Sequence, residues 1–185
     1  MKRPAPAKPL PAGAVRRALG LETHWSLLSR GDRLHGRTLR PAGGERAPVA
    51  ILCTPDGSAG HALVARARAA WPELALAVFD LVLCGGRRSD KLSADALDPS
   101  HPLAGRLRAD LAAQTAADLS AVAALLRADP KLDGARVSLV GVGLGAELAR
   151  EFAAGDHGLA AVELVRGATL DEAALRALAK KLAGR

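Results

Sequence analysis

The sequence predicts an α/β domain: a mainly parallel sheet of about six strands between two helical layers. Three observations point that way. Short apolar runs at residues 48–53, 74–79, 137–140 and 159–165 read as buried strands. Segments with leucine or alanine at helical spacing alternate with them, the pattern of strand–helix–strand units. The length, 185 residues at 49% hydrophobic, suits one domain able to bury roughly 70% of its unfolded surface.

The elements follow in order. Residues 1–13, rich in Pro, Ala and Lys, read as a flexible tail, leaving 14–185 as a single domain. Residues 15–21 read as a short helix ended by Gly20. Residues 22–29 and 33–39 form a hairpin around Gly31-Asp32. The strand 48–53 stops at Thr54-Pro55-Asp56-Gly57, and a helix from Ala62 to Trp71 is broken by Pro72. The strand 74–79 ends in Asp80, and a long connection, 81–102, carries Gly85-Gly86. The longest helix, 103–129, keeps Leu107, Leu111, Leu119, Val122 and Leu126 on one face until Pro130. The closing helix opens on a Thr169–Glu172 capping box and lines up Leu175, Leu178 and Leu182.

Charge and composition narrow the function classes. The formal charge is +7, but the arginines are scattered and aromatics make up only 2%, so nucleic-acid binding is not expected. The N-terminus has no apolar signal core and no run reaches the 18 apolar residues of a membrane span. A cytoplasmic protein with no membrane partner is expected. Cys53 and Cys84 lack metal or CxxC spacing, so no metal site is expected either.

The chemistry concentrates in Val137-Ser-Leu-Val-Gly141-Val-Gly143-Leu-Gly145-Ala146-Glu-Leu148, a strand, a very tight turn and a helix. Two kinds of site use that shape. One is the nucleophile elbow, G-x-S-x-G, here with Gly143 at the apex between Gly141 and Gly145. The other is the dinucleotide fingerprint, G-x-G-x-x-G/A, here Gly141, Gly143 and Ala146, with Glu163 where a ribose-binding acid would stand. That motif normally opens a nucleotide fold, whereas here only one strand follows it; outside this reading no cofactor is expected.

The hairpin from Trp25 to Arg40, the turn Ile51 to Gly57, Val78-Phe-Asp80 and the run Pro130 to Gly141 resemble, in that order, the α/β-hydrolase superfamily. The likeness is nearest to its dienelactone-hydrolase and acetyl-xylan-esterase-like members and covers about 145 residues. It implies a three-layer sandwich and an esterase-type site, and the departures from it carry as much weight. The family's apex nucleophile is a serine or cysteine, where this chain has Gly143; the oxyanion-loop histidine is replaced by Thr54. On this resemblance, the acid and histidine loops of a triad are expected to have no counterpart within these residues, which run one helix beyond the strand that follows the elbow.

Losing a triad serine lowers kcat roughly a millionfold. A glycine at that apex relieves backbone strain while abolishing the chemistry. The expectation is therefore a degenerate hydrolase-like domain acting in ligand binding near Gly143 or in assembly, as a homodimer or with a partner protein, through the last strand from Leu159 to Val165. Two alternatives stand beside it. One is a residual ester hydrolase using Ser58, Cys53 or Cys84; the other is dinucleotide binding through Gly141, Gly143, Ala146 and Glu163. His61, His101 and His157 read as solvated or hydrogen-bonded groups, and Asp80 as a turn residue as readily as a catalytic one.

Overall fold

The computed structural model describes residues 9–11, 13–43, 46–55, 61–87, 89, 100–167 and 170–183. Its centre is three strands that are apolar on both faces: β4 (Ala47–Cys53), β5 (Ala75–Phe79) and the later half of β6 (Leu132–Val142). Interior parallel strands face helices on both sides, so their sequence is continuously apolar rather than alternating. β4 pairs in parallel with both β5 and β6, and β6 pairs in parallel with β7 (Ala161–Val165).

The other half of the sheet is a meander of β1 (Val15–Leu19), β2 (Glu22–Ser29) and β3 (Asp32–Leu39), joined by antiparallel pairs and attached to β5 through β3. The order is β1-β2-β3-β5-β4-β6-β7. This corrects two expectations. The sheet is mixed rather than mainly parallel, and it has seven strands among the described residues rather than about six. The added strand is β1, expected to be a helix. Val15 and Leu19, four residues apart, share a face in a helix and also in a strand, so their spacing cannot choose. Pairing with β2 decides it.

Helices cover both faces. On one side lie α2 (Ala104–Arg127), α3 (Leu144–Leu148) and α4 (Arg150–Ala154), packed on Ile51, Phe79 and Leu139. On the other lie α1 (His61–Ala70) and α5 (Glu172–Ala183), packed on Leu52, Leu76 and Val140. Alternation along β4 sends Ile51 and Cys53 to the first layer and Ala50 and Leu52 to the second. The Trp71 indole Nε1 donates to the Leu175 carbonyl at 2.7 Å, tying the end of α1 to α5. Among the described residues α2 is the one helix long and apolar enough, by length and composition, to cross a bilayer; here its Leu111, Leu119, Val122 and Leu126 are buried in the core.

The capping of α5 also differs from expectation. Thr169 lies outside the described residues, and Asp171 caps the helix instead: its carboxylate accepts the Ala174 amide at 2.7 Å. The helix expected after the elbow is two short ones separated at Ala149. The tail 1–13 falls mostly outside the described residues.

Candidate functional site

β6 delivers the chain to the elbow and α3 takes it away. At the apex Gly143 has φ 58° and ψ −124°, a region that residues with a side chain enter only under strain. Its amide donates to the Val165 carbonyl at 3.0 Å, and its carbonyl accepts the Glu147 amide at 3.1 Å. The turn is thereby clamped to β7 on one side and to α3 on the other.

The flanking glycines are needed for space. A Cβ on Gly145 would stand 2.1 Å from the Cys53 carbonyl oxygen, and one on Gly141 would stand 2.8 Å from the Ala146 Cα. The helix can cross this close to β4 and β6 only because both positions lack side chains. Gly141, Gly143 and Gly145 thus each have a separate physical reason, and together they make a strand–turn–helix of nucleophile-elbow shape. At its apex there is only hydrogen.

The apex opens on a cleft of about 650 Å³ whose floor is Leu144, Ala146 and Leu164. Its rim is Arg108 from early α2, Arg150 from the start of α4, and Arg166 just after β7. Glu147, the acidic residue lining it, pairs with Arg108. Arg150 and Arg166 have no acidic partner among the described residues. Nor does a serine, cysteine or histidine line the cleft among them. The sequence offered no sign of this convergence, because the three arginines come from separate elements.

The substitute nucleophiles stand elsewhere. Cys53 is fully buried under the elbow, its Sγ 3.5 Å from the Gly145 carbonyl that accepts from it. Burial first, and then the nearby Asp118 and Cys84, push its thiol well above the ordinary range, so it stays protonated at neutral pH. Cys84 is half-buried against the α2-side core. Ser58 lies outside the described residues, as does the side chain of His61. His101 and His157 each accept a backbone amide, from Leu103 and Leu159 respectively, and His157 also stacks on Phe152.

Asp80 is a turn residue: its carboxylate accepts the Gly86 amide at 3.0 Å. Sequence reading missed its neighbour, Arg87. That side chain is 5% exposed and spans Asp118, fully buried on α2, at 2.6 Å, and Asp32 of β3 at 2.5 Å. Gln114 donates to the other Asp118 oxygen at 2.8 Å. The network staples the loop after β5 to both α2 and the meander.

For dinucleotide binding, Gly141 and Ala146 do pack in contact, as that motif also requires. Glu163, on β7, is ion-paired with Lys181 of α5 at 3.1 Å. Among the described residues no three His, Cys, Asp or Glu side chains come together as a metal site.

No family model and no curated protein matches this chain. Solved structures do. A cold-adapted esterase from an Arctic intertidal metagenomic library superposes with a TM-score of 0.58 at 15% identity, over 80% of this chain and 62% of its own. Acetyl xylan esterase 1 from Thermoanaerobacterium gives 0.53 at 16%, over 81% and 51%. A Klebsiella pneumoniae protein assigned as a dienelactone hydrolase gives 0.56 at 20%, over 81% and 61%. The chain therefore spans about half to three-fifths of the length of these structures. At such identities the likeness speaks for architecture alone: this chain has an α/β-hydrolase-like fold.

Proposed function

We propose that this domain holds a small ligand at the elbow without carrying out covalent chemistry on it. The carrying observation is the apex itself: the strained turn is kept, with the glycines it needs on either side, while the position that bears a nucleophile in working elbows is Gly143. The lining supports a ligand with a small apolar body and a negative charge, since Leu144 and Leu164 form the floor and Arg150 and Arg166 stand at the rim. A cytoplasmic setting and a pseudoenzyme relationship to larger ester hydrolases belong to this proposal.

The test is calorimetric titration of the domain with hexanoate and with hexanamide. Hexanoate is expected to bind, hexanamide to bind at least tenfold more weakly, and Arg166→Glu to remove the difference. Equal heats for the two compounds, unchanged in the variant, would rule out charge recognition at this cleft.

Assembly is a second part of the same reading. β7 is the last strand in the sheet order, so one row of its backbone groups faces away from β6. A homodimer or partner protein pairing along this edge would satisfy those groups. Sedimentation velocity across a hundredfold concentration range is expected to show association that Val162→Lys weakens; a monomer at every concentration would exclude the homodimer.

The esterase names of the structural neighbours favour one other reading, a residual hydrolase. Its candidates are Cys84, Ser58 and Cys53, the last held as a protonated thiol by burial. Ester hydrolysis abolished by Cys84→Ala or Ser58→Ala would establish that reading over ours.

A further inference from the structure

The outward face of the meander carries a second cluster of basic side chains, remote in the sheet order from β6 and β7. The inward face, with Trp25, Leu27 and Leu34, is buried in the α2-side core. On the other face Arg17, His24 and His35 are exposed. The strand registers put Arg17 directly opposite His24, and His24 directly opposite Arg37. In the next row outward-facing Ser26 stands opposite His35. These side chains line a groove of about 370 Å³.

Like-charged side chains set directly across strands destabilise a sheet. Guanidinium, imidazole and guanidinium in one row form such an arrangement whenever the imidazole is protonated. One carboxylate offsets it: Glu22 Oε1 accepts from Arg37 Nη1 at 3.2 Å and lies 3.0 Å from His24 Nε2. That leaves Arg17 and His35 without a partner among the described residues. It also leaves the Arg37 Nε–H buried and unbonded, one of three such buried side-chain atoms among the described residues. A structural ion network would use these donors, as the one around Arg87 does. Here Arg17 and His35 line the groove unpaired, beside an Arg37 guanidinium only partly used by Glu22.

We propose that this groove binds a small divalent oxyanion, of the kind found in a phosphate monoester. Arg17 supplies a planar pair of donors matched to phosphate oxygens, Arg37 adds the Nη2 group that Glu22 does not take, and His35 supplies a single donor. Three strands in fixed register set the backbone positions of the four groups. A nucleic-acid strand fits less well, because it needs exposed aromatic rings for its bases, and Trp25 is buried with its indole donating to Thr38.

The experiment is a titration of the full chain followed by amide NMR. Inorganic phosphate and phenyl phosphate are the probes, and acetate and chloride at matched ionic strength are the controls. Both phosphates are expected to give saturable shifts at Arg17, His24, His35 and Arg37, and neither control to do so. Arg17→Glu, on an exposed position, is expected to weaken these shifts at least tenfold while leaving the spectrum folded and any response around Gly143 unchanged. His35→Gln is expected to weaken them several-fold. Response to phenyl phosphate but not inorganic phosphate would still support the site and assign it to esters. Shifts that match those of chloride, or that persist in Arg17→Glu, would overturn the proposal. So would an oligodeoxythymidylate that binds more tightly than either phosphate, which would assign the face to nucleic acid.

Discussion

Two turns leave the same edge of the sheet, and they are held together by opposite means. After β5, the turn from Asp80 to Arg87 is held by charge: Asp80 takes the Gly86 amide, and Arg87 bridges Asp118 and Asp32. After β6, the elbow is held by proximity: Gly145 lies against the Cys53 carbonyl, Gly141 against Ala146, and no side chain takes part at the apex. The turn that has chemistry-bearing side chains uses them up in structure. The turn that has the geometry of a catalytic site carries no reactive atom. In these two turns the elbow geometry and the polar side chains lie in different places, and neither turn alone would reveal it.

Substitution should separate the two turns, with the largest loss at Arg87. Removing it as Arg87→Ala leaves the Asp118 carboxylate buried with only Gln114 as a partner, and should cost about 3–5 kcal/mol in urea unfolding. A loss below about 1 kcal/mol would show that charge does not hold this turn.

The next effect belongs to the elbow. Gly145→Ala drives a methyl group into the Cys53 carbonyl, backbone against backbone, and should cost about 3 kcal/mol, the upper end for overpacking, along with any ligand binding in the cleft. Gly143→Ala puts a side chain at positive φ, and that backbone strain should cost about 1–3 kcal/mol. If Gly143→Ala proved the more damaging of the two, the turn would be governed by conformation rather than by close approach.

The smallest effect sharpens the other side. Asp32 is half exposed, and Arg87 keeps Asp118 without it, so Asp32→Asn should change stability by about 0–1 kcal/mol. Equal losses from Asp32→Asn and Arg87→Ala would mean that the network acts through the meander and not through α2.

What could be read from the sequence follows from how local each feature is. The central strands were legible because β4, β5 and late β6 are apolar on both faces and need no partner to be recognised. The elbow was legible because its three glycines sit within five residues at the spacing of a strand–turn–helix, although the demand on Gly145 comes from Cys53 on β4. The mixed sheet was not, since nothing local tells β3 to pair antiparallel with β5, nor distinguishes β1 from one turn of helix. Arg87 was hidden for the same reason: its carboxylate partners lie 31 and 55 residues away. Scattered arginines became a rim around the cleft only once α2, α4 and the end of β7 were brought together. Patterns set by neighbours in the chain survive in the sequence; those set by neighbours in space do not.

If the elbow persists without covalent chemistry, as we propose, intact-mass spectrometry will detect no acyl intermediate. The wild-type domain, incubated with p-nitrophenyl acetate and quenched over the first seconds, is expected to show no acetyl adduct and no p-nitrophenol release above the buffer rate. Gly143→Ser is expected to behave the same way, because among the described residues no histidine lines the cleft to deprotonate a serine at the apex. A rapid single-acetyl adduct on the wild-type chain, with matching p-nitrophenol release, would show that the domain is a working acyl-transfer enzyme.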